Sequence, residues 1–309
     1  MEFFKVKKII PFMNYSKIFN SLSLIFFIVS VSALSIRGLN LGIEFTQGLN
    51  MTIKFEKSLS SSQIRDSIET NFDEKIQIQT YGDSRSFLIR IPLEDNNPEL
   101  GEKIFQLLQT IDSNVILSSS EFVGSQIGKE MKDNGLLALI FVSLGIVLYL
   151  AMRFEWKFGL AAIIANFHDV IIILGFFALF QWEFSLAALA AVLAVLGYSV
   201  NESVVVFDRI RENFRDMDLN MSVKDVINSA ITKTMSRTII THGSTEIMVL
   251  SILIFGGPTL FYFALALTIG ILFGIYSSIF IASPIIIALG IKREDLIKPE
   301  KKDKDGLVV

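Results

Sequence analysis

Two histidines occur in this 309-residue chain, His168 and His242, and both lie in apolar runs long enough to cross a bilayer. Each has an acid close by. One run carries Asn166, His168 and Asp169, a second carries Asn201 and Glu202, and a third carries His242 and Glu246. Ionisable groups at membrane depth are expensive; they usually face a bundle interior or a wet cavity and serve ion or proton routes. A buried carboxylate suits proton carriage because low dielectric penalises its charged form, bringing protonation within reach of working pH. Each protonation state then favours its own helix packing, and that bistability is how ion movement becomes mechanical work. One charge falling through 100 mV releases about 2.3 kcal/mol, a bias of roughly fiftyfold. The structural alternative is that these residues are satisfied interhelical hydrogen bonders worth about 0.6 kcal/mol each.

Composition removes several other chemistries. The chain is 51% hydrophobic and 19% charged, and its mean hydropathy is +0.54, which points to a membrane solvent. It has no Cys, so a disulfide scaffold, a thiolate zinc site and a cysteine nucleophile are excluded. With 28 basic against 31 acidic residues, there is no basic excess for nucleic acid. No glycine motif cradles a phosphate, which argues against ATP hydrolysis, and no serine, histidine and acid are arranged for nucleophilic attack. Neither an enzyme, a cofactor nor a metal is expected.

The elements that must position these residues are six apolar runs, at 18–36, 134–152, 158–180, 184–207, 239–256 and 262–290. A membrane-spanning helix needs about 20 such residues. The last run exceeds that length and contains Pro284, which predicts a kink or an interfacial exit. A signal peptide ending near Val31-Ser32-Ala33 is the competing reading of the start, but the apolar run continues past that point. Basic residues fall on one side: Lys5, Lys7, Lys8 and Lys17 before the first span, Arg153 and Lys157 after the second, six in the loop 208–238 and six in the tail 291–309. The loops at 181–183 and 257–259 carry none. The rule relating cytoplasmic loops to Lys and Arg makes both termini cytoplasmic, residues 1–17 included, and the insertion 37–133 extracytoplasmic. At about 1.5 Å per residue, Glu202 lies roughly 8 Å and Glu246 roughly 10 Å from the cytoplasmic ends of their spans, with Asp169 roughly 15 Å up. A route from Asp169 through Glu202 to His242 and Glu246 is the predicted order.

The insertion has soluble periodicities. Leu49, Met51, Ile53 and Phe55 alternate with polar residues, as in a half-buried strand; Ile64, Ile68 and Phe72 recur at helical spacing. Ile76/Ile78 and Phe87/Ile89/Ile91/Leu93 predict two strands joined by a hairpin turn at Gly82-Asp83-Ser84. After Pro98, Leu100, Ile104, Leu107, Leu108 and Ile111 mark a second helix, and 115–123 a fourth strand. The order βαββαβ predicts an α+β ferredoxin-like domain. A short helix is expected over 125–133, leading back to the five-helix bundle 134–290. Small residues at Ala187/Ala191, Ala190/Ala194 and Gly270/Gly274/Ser278 predict close helix approaches. The basic stretch 208–215 predicts an interfacial helix on anionic lipid, with a cytoplasmic partner as the alternative.

Residues Gly197-Tyr198-Ser199-Val200-Asn201-Glu202-Ser203-Val204-Val205-Val206-Phe207-Asp208-Arg209-Ile210-Arg211-Glu212-Asn213 resemble the SecF side of the SecD/SecF family of protein-export membrane subunits. Gly42-Ile43-Glu44-Phe45-Thr46-Gln47-Gly48, His168-Asp169-Val170, Ser236-Arg237-Thr238 and Phe263-Ala264-Leu265-Ala266 extend the likeness over essentially the whole chain. The resemblance implies a multi-pass protein of a bacterial cytoplasmic (inner) membrane. It implies a partner, SecD, a place beside the Sec channel and its accessory subunits, and use of protons to pull or release translocating polypeptide. It assigns proton passage to the fourth-span acid, Glu202 here, with Arg237 near it, and Asp169 matches the family's His-Asp pair. Two departures stand out: the fourth-span acid is usually Asp, and the family motif has Asp and Gly where this chain has Glu44 and Gln47. Glu246 has no counterpart. The rival readings are half of a proton-coupled exporter of lipids or small molecules, an architecture shared by the same superfamily, and a scaffold that moves no ions.

Overall fold

The computed structural model describes residues 8–72, 76–81, 83–92, 99–216 and 221–296. Six helical segments are long and apolar enough to span a membrane. They are α1 (Ser16–Arg37), α4 (Ser125–Arg153), α5 (Trp156–Phe180), α6 (Leu186–Asp216), α7 (Val223–Phe255) and a broken sixth made of α8 (Gly257–Ser277) and α9 (Ser283–Ala288). Between α8 and α9 the residues Ser278–Ala282 form a π-helical turn, and Pro284 opens α9. Proline lacks a donor and crowds the carbonyl one turn back, so the wider turn lies where an α-helical ladder would be broken. The irregularity expected at Pro284 is therefore present as a widened turn.

Three expected boundaries are corrected. The short helix at 125–133 is the first part of α4 and not a separate element. The loop 208–238 is mostly helix: α6 runs on to Asp216 and α7 starts at Val223, behind Ser222, whose hydroxyl accepts from the Asp225 N–H. Charge disguised these turns as loop, but Ile210, Phe214, Val226, Ile227, Ala230 and Ile231 are buried at helical spacing against Phe158 and Phe207. The stretch 208–215 is thus the end of α6, and Arg211 is occupied within the chain. It reaches Glu155 at 3.2 Å and lies over the Phe154 ring, while Arg153 pairs with Asp208 at 2.7 Å.

After α1 come β1 (Asn40–Leu41), β2 (Gly48–Lys54), α2 (Ser61–Phe72), β3 (Gln77–Tyr81), β4 (Asp83–Pro92), α3 (Leu100–Ile111) and β5 (Ile116–Val123). From β2 onward the strand and helix order is the one expected for the insertion; β1, which pairs outside that sheet, is additional. Four strands form an antiparallel sheet in the order β3-β4-β2-β5. Met51, Ile53, Phe87, Ile89 and Ile91 are fully buried on one face against Ile64, Ile68, Ile104 and Leu108 of the two helices. The expected turn centres on Gly82, which lies outside the described residues, as do Leu93 and Pro98; Asp83 and Ser84 belong to β4. Asp112 ties the start of β5 to the end of β2. Burial alone raises the pKa of this carboxyl, but the N–H groups of Lys57, Asn114 and Glu56 outweigh that and hold it below the usual carboxylate range.

The domain is fastened to the bundle through its other sheet face. β1 pairs in parallel with β6 (Glu183–Phe184), between α5 and α6. Arg90 of β4 forms an ion pair with Glu183, both buried. Within the bundle, Gly270 and Gly274 let α8 approach α6: a Cβ at Gly270 would meet Val195 at 2.2 Å, and one at Gly274 would touch Ser199. The two glycines of α8 thus seat it on Val195 and Ser199 of α6. Ala190 and Ala194 take no part in this contact, because they face away from the chain's own packing.

Candidate functional site: two polar clusters in the bundle

The packing of α6 between α5, α7 and α8 brings together side chains that sequence places far apart. Asp169, near the middle of α5, is 1% exposed. Its Oδ2 accepts from Ser199 Oγ of α6 at 2.6 Å and from Ser277 Oγ at the end of α8 at 2.7 Å. Its Oδ1 lies 3.2 Å from His168 Nδ1, and His168 Nε2 lies 2.8 Å from Ser23 Oγ of α1. Four helices therefore meet on one carboxylate and its neighbouring imidazole. Ser277 Oγ is also within 3.2 Å of the Gly274 carbonyl. Its single hydrogen can serve the carboxylate or turn to the carbonyl, so the cluster can be satisfied in either charge state of Asp169.

Glu202 stands three residues after Ser199 on α6, one turn further along the same helix face. Its Oε1 accepts from Thr238 Oγ1 of α7 at 2.6 Å, and its Oε2 lies 2.9 Å from His242 Nε2. All three side chains are buried. Thr238 has the same two-way choice as Ser277, because the Thr234 carbonyl is 3.3 Å from its Oγ1. When Glu202 is ionised, Thr238 donates to it. When Glu202 is protonated, its O–H can donate to Thr238, whose hydrogen turns to Thr234. The Glu202–His242 contact needs one proton between two heteroatoms, and His242 Nδ1 is buried without a hydrogen-bond partner. Tyr198 packs edge-on against the His242 ring and bonds Thr245 at 3.1 Å.

Glu202 also borders an opening. A cavity of about 240 Å³ is lined by Tyr198, Asn201, Glu202, Arg237, Thr241 and His242, among others. Asn201 and Arg237 are exposed at its rim. Arg237 lines the same cavity as Glu202 without an ion pair to it among the described residues; the carboxylate is held by Thr238 and His242.

Of the seven residues singled out from the sequence, Asp169 and His168 share one cluster, Glu202 and His242 a second, and Asn201 and Arg237 the rim beside the second. Glu246 stands apart, one turn beyond His242, and its carboxyl faces the Thr268 hydroxyl of α8 instead of either cluster. Asn166 belongs to neither cluster and lines an apolar cavity of about 340 Å³ with residues of α4. Sequence reasoning missed Ser23, Ser199 and Ser277. Hydroxyls inside apolar runs at one-turn spacing from an acid, as Ser199 is from Glu202, were the available signal.

Six apolar helices, an α/β domain inserted after the first and two ionisable hydrogen-bonded clusters between the helices define a polytopic membrane protein with titratable groups inside its bundle. The family model for the C-terminal region of protein export membrane protein SecD/SecF matches residues 103–292, and that for the SecD/SecF GG motif matches 32–58. The chain belongs to the SecD/SecF family. It is 39% identical to the protein translocase subunit SecF of Haemophilus influenzae, covering 95% of this chain and 90% of that one. It is 40% identical to the subunit of that name in Pseudomonas aeruginosa, over 95% and 96%. The crystal structure of SecDF from Thermus thermophilus, a translocon-associated membrane protein, superposes with a TM-score of 0.81 at 33% identity. That match covers 93% of this chain, which spans 39% of the SecDF chain.

Proposed function

We propose that this chain is a SecF-type auxiliary subunit of the Sec protein-export machinery, working with a SecD-type partner in a bacterial inner membrane to couple proton entry to late polypeptide translocation or release. The termini lie in the cytoplasm in this reading, and the α/β domain, ferredoxin-like in its βαββαβ order, lies outside. One observation carries it: Glu202, hydrogen-bonded to Thr238 and His242, closes the floor of a cavity whose rim bears Asn201 and Arg237. A proton arriving through that cavity meets a carboxylate whose partners accommodate either charge state.

The partner is argued from the same helix. Ala190, Ala194, Gly197 and Asn201 recur on one exposed face of α6, and a Cβ at Gly197 would meet nothing within 4 Å. Small residues on an unoccupied membrane face allow a second helix to approach closely. A SecD-type helix there would cover the cavity and complete the proton site beside Arg237. The channel, its accessory subunits and lipid are the remaining neighbours in this reading.

Asp169 supports a second role. Its carboxylate is saturated by groups from its own chain, which suits a hub that holds α1, α5, α6 and α8 in register and relays the state of Glu202 through Ser199. The test is late export of a secreted protein, with and without a proton gradient, in cells carrying Glu202→Gln. Loss of gradient dependence is expected; retained dependence would leave the scaffold reading.

A further inference from the structure

The two edges of the α/β sheet are unequal. At one edge β3 lies against α8, whereas at the other, among the described residues, β5 pairs with β2 alone. β5 is eight residues long, and Ile116 and residues 118–121 are exposed. An unpaired edge presents a row of backbone N–H and C=O groups, which proteins usually blunt with Lys, Pro or distortion. Here Glu121 is the one charge, no Pro interrupts the strand, and the one irregularity is a register shift opposite Thr52/Ile53. Beside this edge is a cleft of about 440 Å³, lined by Thr52, Lys54, Ser86, Leu88 and Ser119 of the sheet and by Thr259 at the start of α8. Ser118 and Ser119 belong to both edge and cleft.

An unpaired strand edge is complementary to an extended polypeptide backbone, which adds as a further strand and places alternate side chains over the neighbouring face. A permanent subunit interface is anchored by aromatic, apolar and Arg side chains. Residues 118–121 offer three serines and a glutamate instead, a surface with little side-chain selectivity. We infer that the β5 edge and the adjoining cleft dock an extended segment of the translocating polypeptide through sequence-independent main-chain hydrogen bonds. This rests on the export function proposed above and names where the client is held.

The test places a photo-reactive residue at Ser119 or Ser120 in the full chain with its partner in the membrane. A control position is Lys103, exposed on α3, which packs on the opposite face of the sheet. The probe is a secretory polypeptide arrested part-way by a disulfide-closed loop. Adducts with the arrested chain are expected at Ser119 and Ser120, several-fold above Lys103, and disappear when reduction releases the chain. Adducts with the partner subunit instead, or equal yields at Lys103, overturn the inference. If Glu202→Gln abolishes gradient dependence while no β5 adduct forms, docking fails and proton coupling stands. If adducts form while Glu202→Gln exports normally, docking stands and proton coupling fails.

Discussion

The two buried acids of the bundle are built differently. Asp169 is enclosed, and its partners come from four helices of its own chain once His168 and Ser23 are included. Glu202 has two partners, both on α7, and a cavity rimmed by an exposed Asn and an exposed Arg. A saturated acid organises a core, because removing it leaves buried donors unpaired. An acid that borders an opening is within reach of a proton, and in the proposed reading the partner completes its surroundings. In that reading Asp169 sets structure and Glu202 carries the proton, although both are acids inside apolar helices.

The largest effect is expected at the open site. Glu202→Gln keeps the size and the Thr238 bond but cannot gain or lose a proton, so gradient-stimulated export falls by up to about fiftyfold, the bias of one charge through 100 mV. Export kinetics with and without a gradient measure this, and the purified chain should keep its melting temperature to within a few degrees. Asp169→Ala should do the reverse. It leaves Ser199 Oγ and His168 Nδ1 without their acceptor, while Ser277 turns to the Gly274 carbonyl, and costs about 1–3 kcal/mol, read as a lowered Tm in detergent, with Asp169→Asn milder because it keeps an acceptor. An equal loss of stability in both acids would dissolve the distinction.

Gly270→Leu asks whether α6 is held as tightly against α8 as the two clusters require. The added side chain meets Val195, and overpacking there costs about 1–3 kcal/mol, measurable as reduced membrane accumulation. Arg237→Gln lies at the open rim and should change the isolated chain's stability by less than about 0.5 kcal/mol while weakening co-purification with the partner.

The last variant calibrates the set at a carboxylate outside the membrane. The Lys157 ammonium, 2.6 Å from Asp295, and the Lys292 N–H hold the Asp295 carboxyl below the usual range. Its folded pKa is therefore depressed. The stability it adds is present above the unfolded value of about 3.9 and is lost as pH falls through the folded one. The pair is partly exposed, so Asp295→Asn should cost under about 1 kcal/mol at neutral pH and nothing once the wild-type group is protonated, as thermal melts at the two pH values would show.

Much of this architecture was legible in the residues. Apolar run length located every span, and alternation of Leu49, Met51 and Ile53 located the first strand of the inserted domain, because burial on one face is written directly into periodicity. The turns at 208–216 and 223–238 were hidden because their buried Ile and Phe are interleaved with Arg, Lys and Asp. His168, Asp169 and Glu202 stood out as charges in apolar runs. What did not show was partnership. That Glu202 meets His242 and not Glu246 depends on how α7 is rotated against α6, and that Asp169 is saturated depends on serines from three other helices. The Arg90–Glu183 fastening was equally invisible, since it joins a sheet residue to an interhelical turn 93 positions away.

The central claim is that Glu202, and not Asp169, is the group whose protonation the gradient changes. Infrared difference spectroscopy of the chain with its partner in vesicles, stepped between neutral and acidic external pH, tests it most directly. The account predicts a carboxyl C=O band that appears on acidification, persists in Asp169→Asn and vanishes in Glu202→Gln. A band that survives Glu202→Gln, or that is lost only in Asp169→Asn, would contradict it.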